Sequence, residues 1–280
     1  MTTAETPVLD QMVDLNGLRF HYRDWGNPGA QPLICLHGFT SHAHSWDSFA
    51  AAMRERYHVM ALDQRGHGET DWASDYHPLR RVEDLEAFVA SLGLSGIVLV
   101  GLSMGGWTAF MYTARHPSMV ERLVIVDIAP ETDPRGIDRI LGNLRAPDVF
   151  AQPEEAVALA RAQNPRPPEA ELRARTLHNL IQREDGSWTW RYDVALRNGR
   201  ASVSPRPEEA AAMWDSLRNI TCPTLLVRGV DSDILSPELA QRMLDTIPNC
   251  RLVEVADSGH AVPLENPSGF LEGVRGFLHV

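Results

Sequence analysis

The chain has 280 residues, 44% of them hydrophobic and 22% charged, and carries a formal net charge of −11. That is enough length and apolar content to bury one large α/β core, with or without an insertion. The acidic balance argues against a nucleic-acid partner, which would call for a basic face. All 26 basic residues are arginine, which excludes Schiff-base and phosphate-loop lysine chemistry.

The opening MTTAETPVLDQMVDLNG has neither the basic-then-apolar pattern of a signal peptide nor the length of a membrane span, so a cytoplasmic protein without a membrane partner is expected. Asn16-Gly17, inside VDLNGLRFHYRDWG, marks a hairpin between two short strands. Six near-continuous apolar runs follow along the chain: PLICLHG, YHVMALD, GIVLVG, RLVIVD, TLLVRG and CRLVEVAD. Such runs suit strands covered on both faces, as in a parallel sheet with helices above and below. Between the second and third, Val82, Leu85, Phe88, Val89 and Leu92 form a helical stripe stopped by Gly93. The alternation implies repeated βα units.

From about 131 to 213 the strand signals vanish, and Pro153–Ala162 and Glu169–Gln182 read as helices. So long an interruption is more than a loop, and it is read as a mainly helical insertion. The expected organisation is a core of 1–130 and 214–280 with an inserted cap of 131–213. Within it, alternating Trp188 and Trp190 suggest a short extended segment, with a place in the core or in a substrate wall. Cys35, Cys222 and Cys250 are odd in number and far apart, and do not form a disulfide framework.

LVGLSMGG, at 99–106, places Ser103 between Gly101 and Gly105 after a strand and before a helix. This is the nucleophile-elbow pattern, in which glycines tolerate close backbone approach and the helix N-terminus faces a developing anion. Met104, the residue after the serine, supplies one oxyanion N–H. A nucleophilic serine needs a base, and His260 leaves the last strand in the turn Ser258-Gly259-His260. The chain order Ser, acid, His leaves Asp231 and Asp233, after the strand ending near Gly229, as acids.

Five motifs, HGF at 37–39, DQRGHG at 63–68, GLSMGG at 101–106, VDSDILSP at 230–237 and DSGHAVP at 257–263, together resemble the α/β-hydrolase superfamily over nearly the whole chain. The resemblance implies a mostly parallel central sheet flanked by helices, with the insertion roofing the active site. It selects Asp233, four residues before Pro237, as the acid, with Asp127 in VIVDIAP as the alternative position and Asp231 shaping the turn. It points to the Phe39 N–H as the second oxyanion donor and to His37 as a brace for that loop. Asp63, Arg65 and His67 are expected to be structural. A serine at the elbow sets the chain apart from the superfamily's aspartate-dependent dehalogenases and epoxide hydrolases.

His42 and His44, in TSHAHSW, are expected near the site mouth as substrate contacts, together with Trp188 and Trp190. The His-x-His pair invites a metal reading, but no further ligand is legible, so no metal and no cofactor are expected. The expected activity is hydrolysis of small to medium carboxylic esters or lactones through an acyl-enzyme, by a monomer or homodimer. Carbon–carbon bond hydrolysis of aromatic catabolism and ligand sensing on the same fold are the alternatives.

Overall fold

The computed structural model describes residues 7–197 and 204–279. Its first elements are the hairpin β1 (Leu9–Leu15) and β2 (Leu18–Asp24), joined at Asn16 and Gly17, both with positive φ as a tight right-twisting hairpin requires. Then come β3 (Gln31–Leu36), α1 (Asp47–Met53), β4 (Tyr57–Leu62), α2 (Pro78–Ser91), β5 (Ile97–Leu102), α3 (Met104–Arg115) and β6 (Val120–Val126). The inserted segment holds α4 (Pro134–Leu144), β7 (Val149–Phe150), α5 (Pro153–Gln163), α6 (Glu169–His178), β8 (Leu180–Gln182) and β9 (Trp188–Trp190). The chain closes with α7 (Pro207–Leu217), β10 (Thr224–Gly229), α8 (Pro237–Thr246), β11 (Cys250–Val255), α9 (Val262–Glu265) and α10 (Pro267–Leu278).

Eight strands form one sheet in the order β1-β2-β4-β3-β5-β6-β10-β11. The pairings β1–β2 and β2–β4 are antiparallel and all later ones parallel. The six apolar runs are β3, β4, β5, β6, β10 and β11. Their continuous hydrophobicity follows from the two apolar layers they separate. Leu36, Leu99 and Ile125 pack with Phe88, Trp107 and Phe110 on one side. Cys35, Val100 and Val126 pack with Trp46, Phe49 and Phe270 on the other. Helices α2, α4, α5, α7, α8 and α10 each start on a proline, whose missing N–H costs nothing in a first turn.

The insertion is mainly helical, as its sequence reads, and it also holds a small antiparallel sheet, β7-β9-β8, in which β9 is the extended Trp188–Trp190 segment. Its C-terminal bound differs from the sequence reading. Residues 207–213 belong to α7, and its Met213, Trp214 and Leu217 sit in the main core beside α3, so the insertion ends before Pro207. No described helix is long and apolar enough to cross a membrane.

One close approach fixes the centre of the sheet. A Cβ on Gly105 would lie 2.2 Å from the Leu36 carbonyl oxygen, and one on Gly101 would lie 2.3 Å from the Gly105 oxygen. Helix α3 therefore rests directly on the backbone of β3 and β5. Gly142, on α4, has nothing within 4 Å of its Cβ position. Gly105→Ala should cost about 3 kcal/mol through backbone displacement, whereas Gly142→Ala should gain roughly 0.5–1 kcal/mol of helix propensity. Urea unfolding of both variants checks this, and equal midpoints would contradict the packing described.

Candidate active site

Ser103 sits between β5 and α3 with φ 54° and ψ −118°, a strained backbone for a residue with a Cβ. Its N–H donates to the Val126 carbonyl at 3.0 Å and its carbonyl accepts from Trp107 N–H at 3.0 Å, so both sides of the strained residue are held. The side chain opens on a cavity of about 220 Å³ between the sheet edge and the insertion. Its hydroxyl makes no hydrogen bond among the described residues, which suits a group held for a ligand. Ser103 stands at the N-terminus of α3, where the first N–H groups, from Met104 onward, have no intrahelical acceptor.

His260 lines that cavity too. Its Nδ1 donates to Asp127 Oδ2 at 2.8 Å. Because the carboxylate can only accept, Nδ1 carries the proton and Nε2 keeps its lone pair. Asp127 is fully buried just past β6, with φ 50°. Its Oδ1 accepts from Gly229 N–H at 3.0 Å and its Oδ2 from the Ser232 hydroxyl at 2.5 Å. Burial pushes the Asp127 carboxyl above its usual range, while the bonds from His260, Ser232 and Gly229 pull the other way without cancelling it.

The expectation that Asp233 partners His260 is therefore corrected. After β10 the chain turns Ser232 inward, where its hydroxyl also accepts from the N–H groups of Ile234 and Leu235. Asp233 is left facing the insertion, where Arg139 binds it with both Nε and Nη2, at 2.5 and 2.8 Å. Asp231 likewise meets Arg166 at 2.9 Å. Sequence could not anticipate these arginines, which lie 94 and 65 residues away from their partners.

The loop after β3 runs against Ser103, since a Cβ on Gly38 would be 3.5 Å from Ser103 Cβ. Phe39 follows in the turn and lines the cavity. His37 braces this loop: Nδ1 donates to the Gly38 carbonyl at 2.8 Å and Nε2 accepts from Gln64 N–H at 3.0 Å. Asp63 ties the next layer, accepting from Ala43 N–H, His21 Nδ1 and Glu69 N–H. Arg65 forks onto Asp84 at 2.6 and 2.8 Å.

Of the four expected substrate contacts, only Trp190 lines the cavity. Trp188 packs instead against the small cluster of Phe150, Ala156 and Leu180. His42 is buried outside the cavity, with Nε2 donating to the Arg175 carbonyl at 2.9 Å. His44 stacks face to face on His178 at 3.7 Å and 10°, so its ring joins core to insertion. His44, Asp47 and His178 bring their ligand atoms within 4.8 Å of one another, a trio the sequence did not reveal. Parallel rings point their lone pairs along separate planes, and Arg23 Nη1 already lies 2.9 Å from His44 Nε2. The trio reads as a stacked contact. The cavity wall contains others unnamed by sequence reasoning, chiefly Arg139, Asn164, Arg175 and Asn179, together with Arg197. Helical periodicity marks which face these share, but not what that face covers.

Sheet order, elbow and histidine loop are those of an α/β hydrolase. Residues 33–272 match the model of the alpha/beta hydrolase family, and the chain belongs to it. It is similar to an esterase of Mycobacterium tuberculosis, 30% identical over 91% of this chain and 84% of that protein. It is also similar to a 3-hydroxybutyrate-oligomer hydrolase of Cupriavidus necator, 32% identical over 89% of each. A solved structure of the M. tuberculosis esterase superposes with a TM-score of 0.81 at 27% identity, covering 98% of this chain and 92% of that one. At 22% identity, the structure of an E-2-(acetamidomethylene)succinate hydrolase shares the fold, with a TM-score of 0.88 over 98% of this chain and 100% of that one.

Buried histidines around the site give stability a definite pH dependence. Burial drives His67 from 6.5 down to about 3, and lowers His37 and His42 as well. Their neutral forms contribute stability above the unfolded value near 6.5, and this is lost as pH falls toward the depressed folded values. His21 runs the other way: burial would lower it, but the Asp63 bond raises it. Three groups against one predict a falling unfolding midpoint below pH 6.5, each depressed histidine adding up to about 1.4 kcal/mol per pH unit. Urea unfolding of wild type and His67→Gln from pH 7 to 4 should show a shallower slope in the variant. Identical slopes would remove His67 from the account.

Proposed function

We propose that the chain is a serine hydrolase that cleaves carboxylic esters through an acyl-enzyme, with Ser103 as nucleophile, His260 as base and Asp127 as orienting acid. The Nδ1 bond from His260 to buried Asp127 carries this reading, because it leaves Nε2 ready to accept a proton on the cavity side. Membership of the hydrolase family and the similarity to an esterase at 30% identity support it.

In this reaction Ser103 Oγ attacks the ester carbonyl carbon while His260 Nε2 takes the hydroxyl proton. The carbonyl oxygen becomes an oxyanion, met by the N–H groups of Met104 and Phe39. Collapse breaks the bond to the alcohol oxygen, which leaves with the proton from His260. Water then repeats the sequence on the acyl-serine, releasing the acid and restoring Ser103. Asp127 stabilises the imidazolium at each stage, and no cofactor enters. The cavity lies below the usual range for drug-sized ligands, which favours short substrates over long-chain lipids.

Hydrolysis of p-nitrophenyl esters from acetate to decanoate tests the reading. Ser103→Ala should nearly abolish turnover, and the profile should favour short acyl chains. Asp127→Asn should lower kcat by about 10³–10⁴, because an amide facing Nδ1 favours the wrong imidazole tautomer. Asp233→Asn should stay within about tenfold of wild type, since it breaks an ion pair beside the site. The opposite ranking would return the acid to the loop after β10. Absence of Ser103-dependent turnover on every ester would sink the esterase reading.

A further inference from the structure

The described lining of the cavity contains Arg139, Arg175 and Arg197 and not one aspartate or glutamate. In a chain with net charge −11 this is a local reversal, and all three arginines come from the insertion. Two of them are accounted for. Arg139 is forked onto Asp233. Arg197 donates to the carbonyls of Leu144 and Ala146 and to the Tyr192 hydroxyl.

Arg175 is different. Its guanidinium has no hydrogen bond or ion pair among the described residues. The carboxylate it senses most is Glu265, which is engaged elsewhere by Asn164 Nδ2 and by the N–H groups of Gly259 and Ala261. Burial lowers Arg175 only to about 10, so it stays charged at neutral pH. Arg175 is half-buried beside the cavity it lines, and among the described residues no carboxylate meets its charge. One helical turn on, on the same side of the chain, Asn179 Nδ2 donates to the Thr40 carbonyl at 2.9 Å. Asn179 Oδ1 is buried with no donor. Donor and acceptor capacity are thus both left open on one wall of the cavity that Ser103 lines.

We propose that Arg175 binds a carboxylate carried by the substrate, so that the preferred esters are anionic ones with a carboxyl group remote from the scissile bond. The inference rests on the ester-hydrolase reading and names its substrate class. A carboxylate meets the guanidinium in a charge-assisted, two-point contact that a neutral isostere cannot make. Asn179 Oδ1 beside it would accept from a hydroxyl or from water bound with that carboxylate.

The test compares kcat/KM for monoethyl glutarate with that for its carboxamide isostere, and for 4-acetoxybutanoate with 4-acetoxybutanamide. The first pair carries the charge on the acyl side and the second on the alcohol side. Wild type should prefer the carboxylate member of at least one pair by about 10–100-fold, the worth of a good charged contact. Arg175→Gln should bring that ratio near one, and Arg175→Lys should restore part of it. Ratios near one in wild type for both pairs overturn the proposal, whatever the variants do. An unchanged ratio in folded Arg175→Gln also overturns it. Calorimetric titration of glutarate into wild type and Arg175→Gln separates this inference from the esterase reading. Binding lost in the variant, with no ester turned over, would uphold the carboxylate site and reject the ester chemistry. Rapid turnover of both members of each pair at equal rates would do the reverse.

Discussion

The site depends on a backbone contact that no side chain could replace. At Gly101 and Gly105, α3 lies so close to β3 and β5 that even a methyl group would overlap carbonyl oxygens. That approach places the start of α3 beside the loop after β3 and allows the chain to reverse within Ser103. The positive φ there costs on the order of 1–3 kcal/mol, which only a rigid surround can sustain. The surround is the Val126 carbonyl on one side and the first turn of α3 on the other. Strain at Ser103 and the unpaired N–H groups at the start of α3 are consequences of the same packing.

A second constraint is the charge behind the histidine. Asp127 is wholly buried, and only hydrogen bonds can make an ionised carboxylate tolerable there. Gly229 N–H, the Ser232 hydroxyl and His260 Nδ1 supply them, from β10, the turn after it, and the loop after β11. Three consecutive sheet positions thus converge on one side chain. Burial still raises the carboxyl, so the ionised form depends on all three of these bonds.

What was legible in the sequence follows from the range of the forces involved. The six strands and the glycine-bounded serine are local: their signals lie within a few residues of one another. His260 was legible for the same reason, as a histidine in a polar turn leaving a buried strand. The acid was not. Asp127 and Asp233 each follow a strand, and which one turns inward is set by Ser232 and by Arg139, contributed from the far side of the insertion. His42 and His44 misled because a loop near Ser103 can aim its side chains away from the cavity, here into the seam under α6. Of the β7-β9-β8 sheet only β9 was legible, from the alternating Trp188 and Trp190, because its partners owe their shape to it.

The seam also explains how reaction and recognition can be divided between two parts of one chain. The core supplies Ser103, His260 and Asp127, and the insertion supplies the arginines facing them. Their relative placement depends on contacts that cross between the parts: Tyr76 to Asp193, Asn179 to the Thr40 carbonyl, Ser48 to Glu171 and the stacked His44 and His178. Asn179 anchors α6 to the turn carrying Phe39, so the guanidinium four residues earlier is referenced directly to the loop after β3. A charged group bound at Arg175 would then lie at a distance from Ser103 that this bond helps to set. Substitutions along the seam would change which substrates fit, while the Ser103 elbow, held by β3, β5 and β6, would remain as it is.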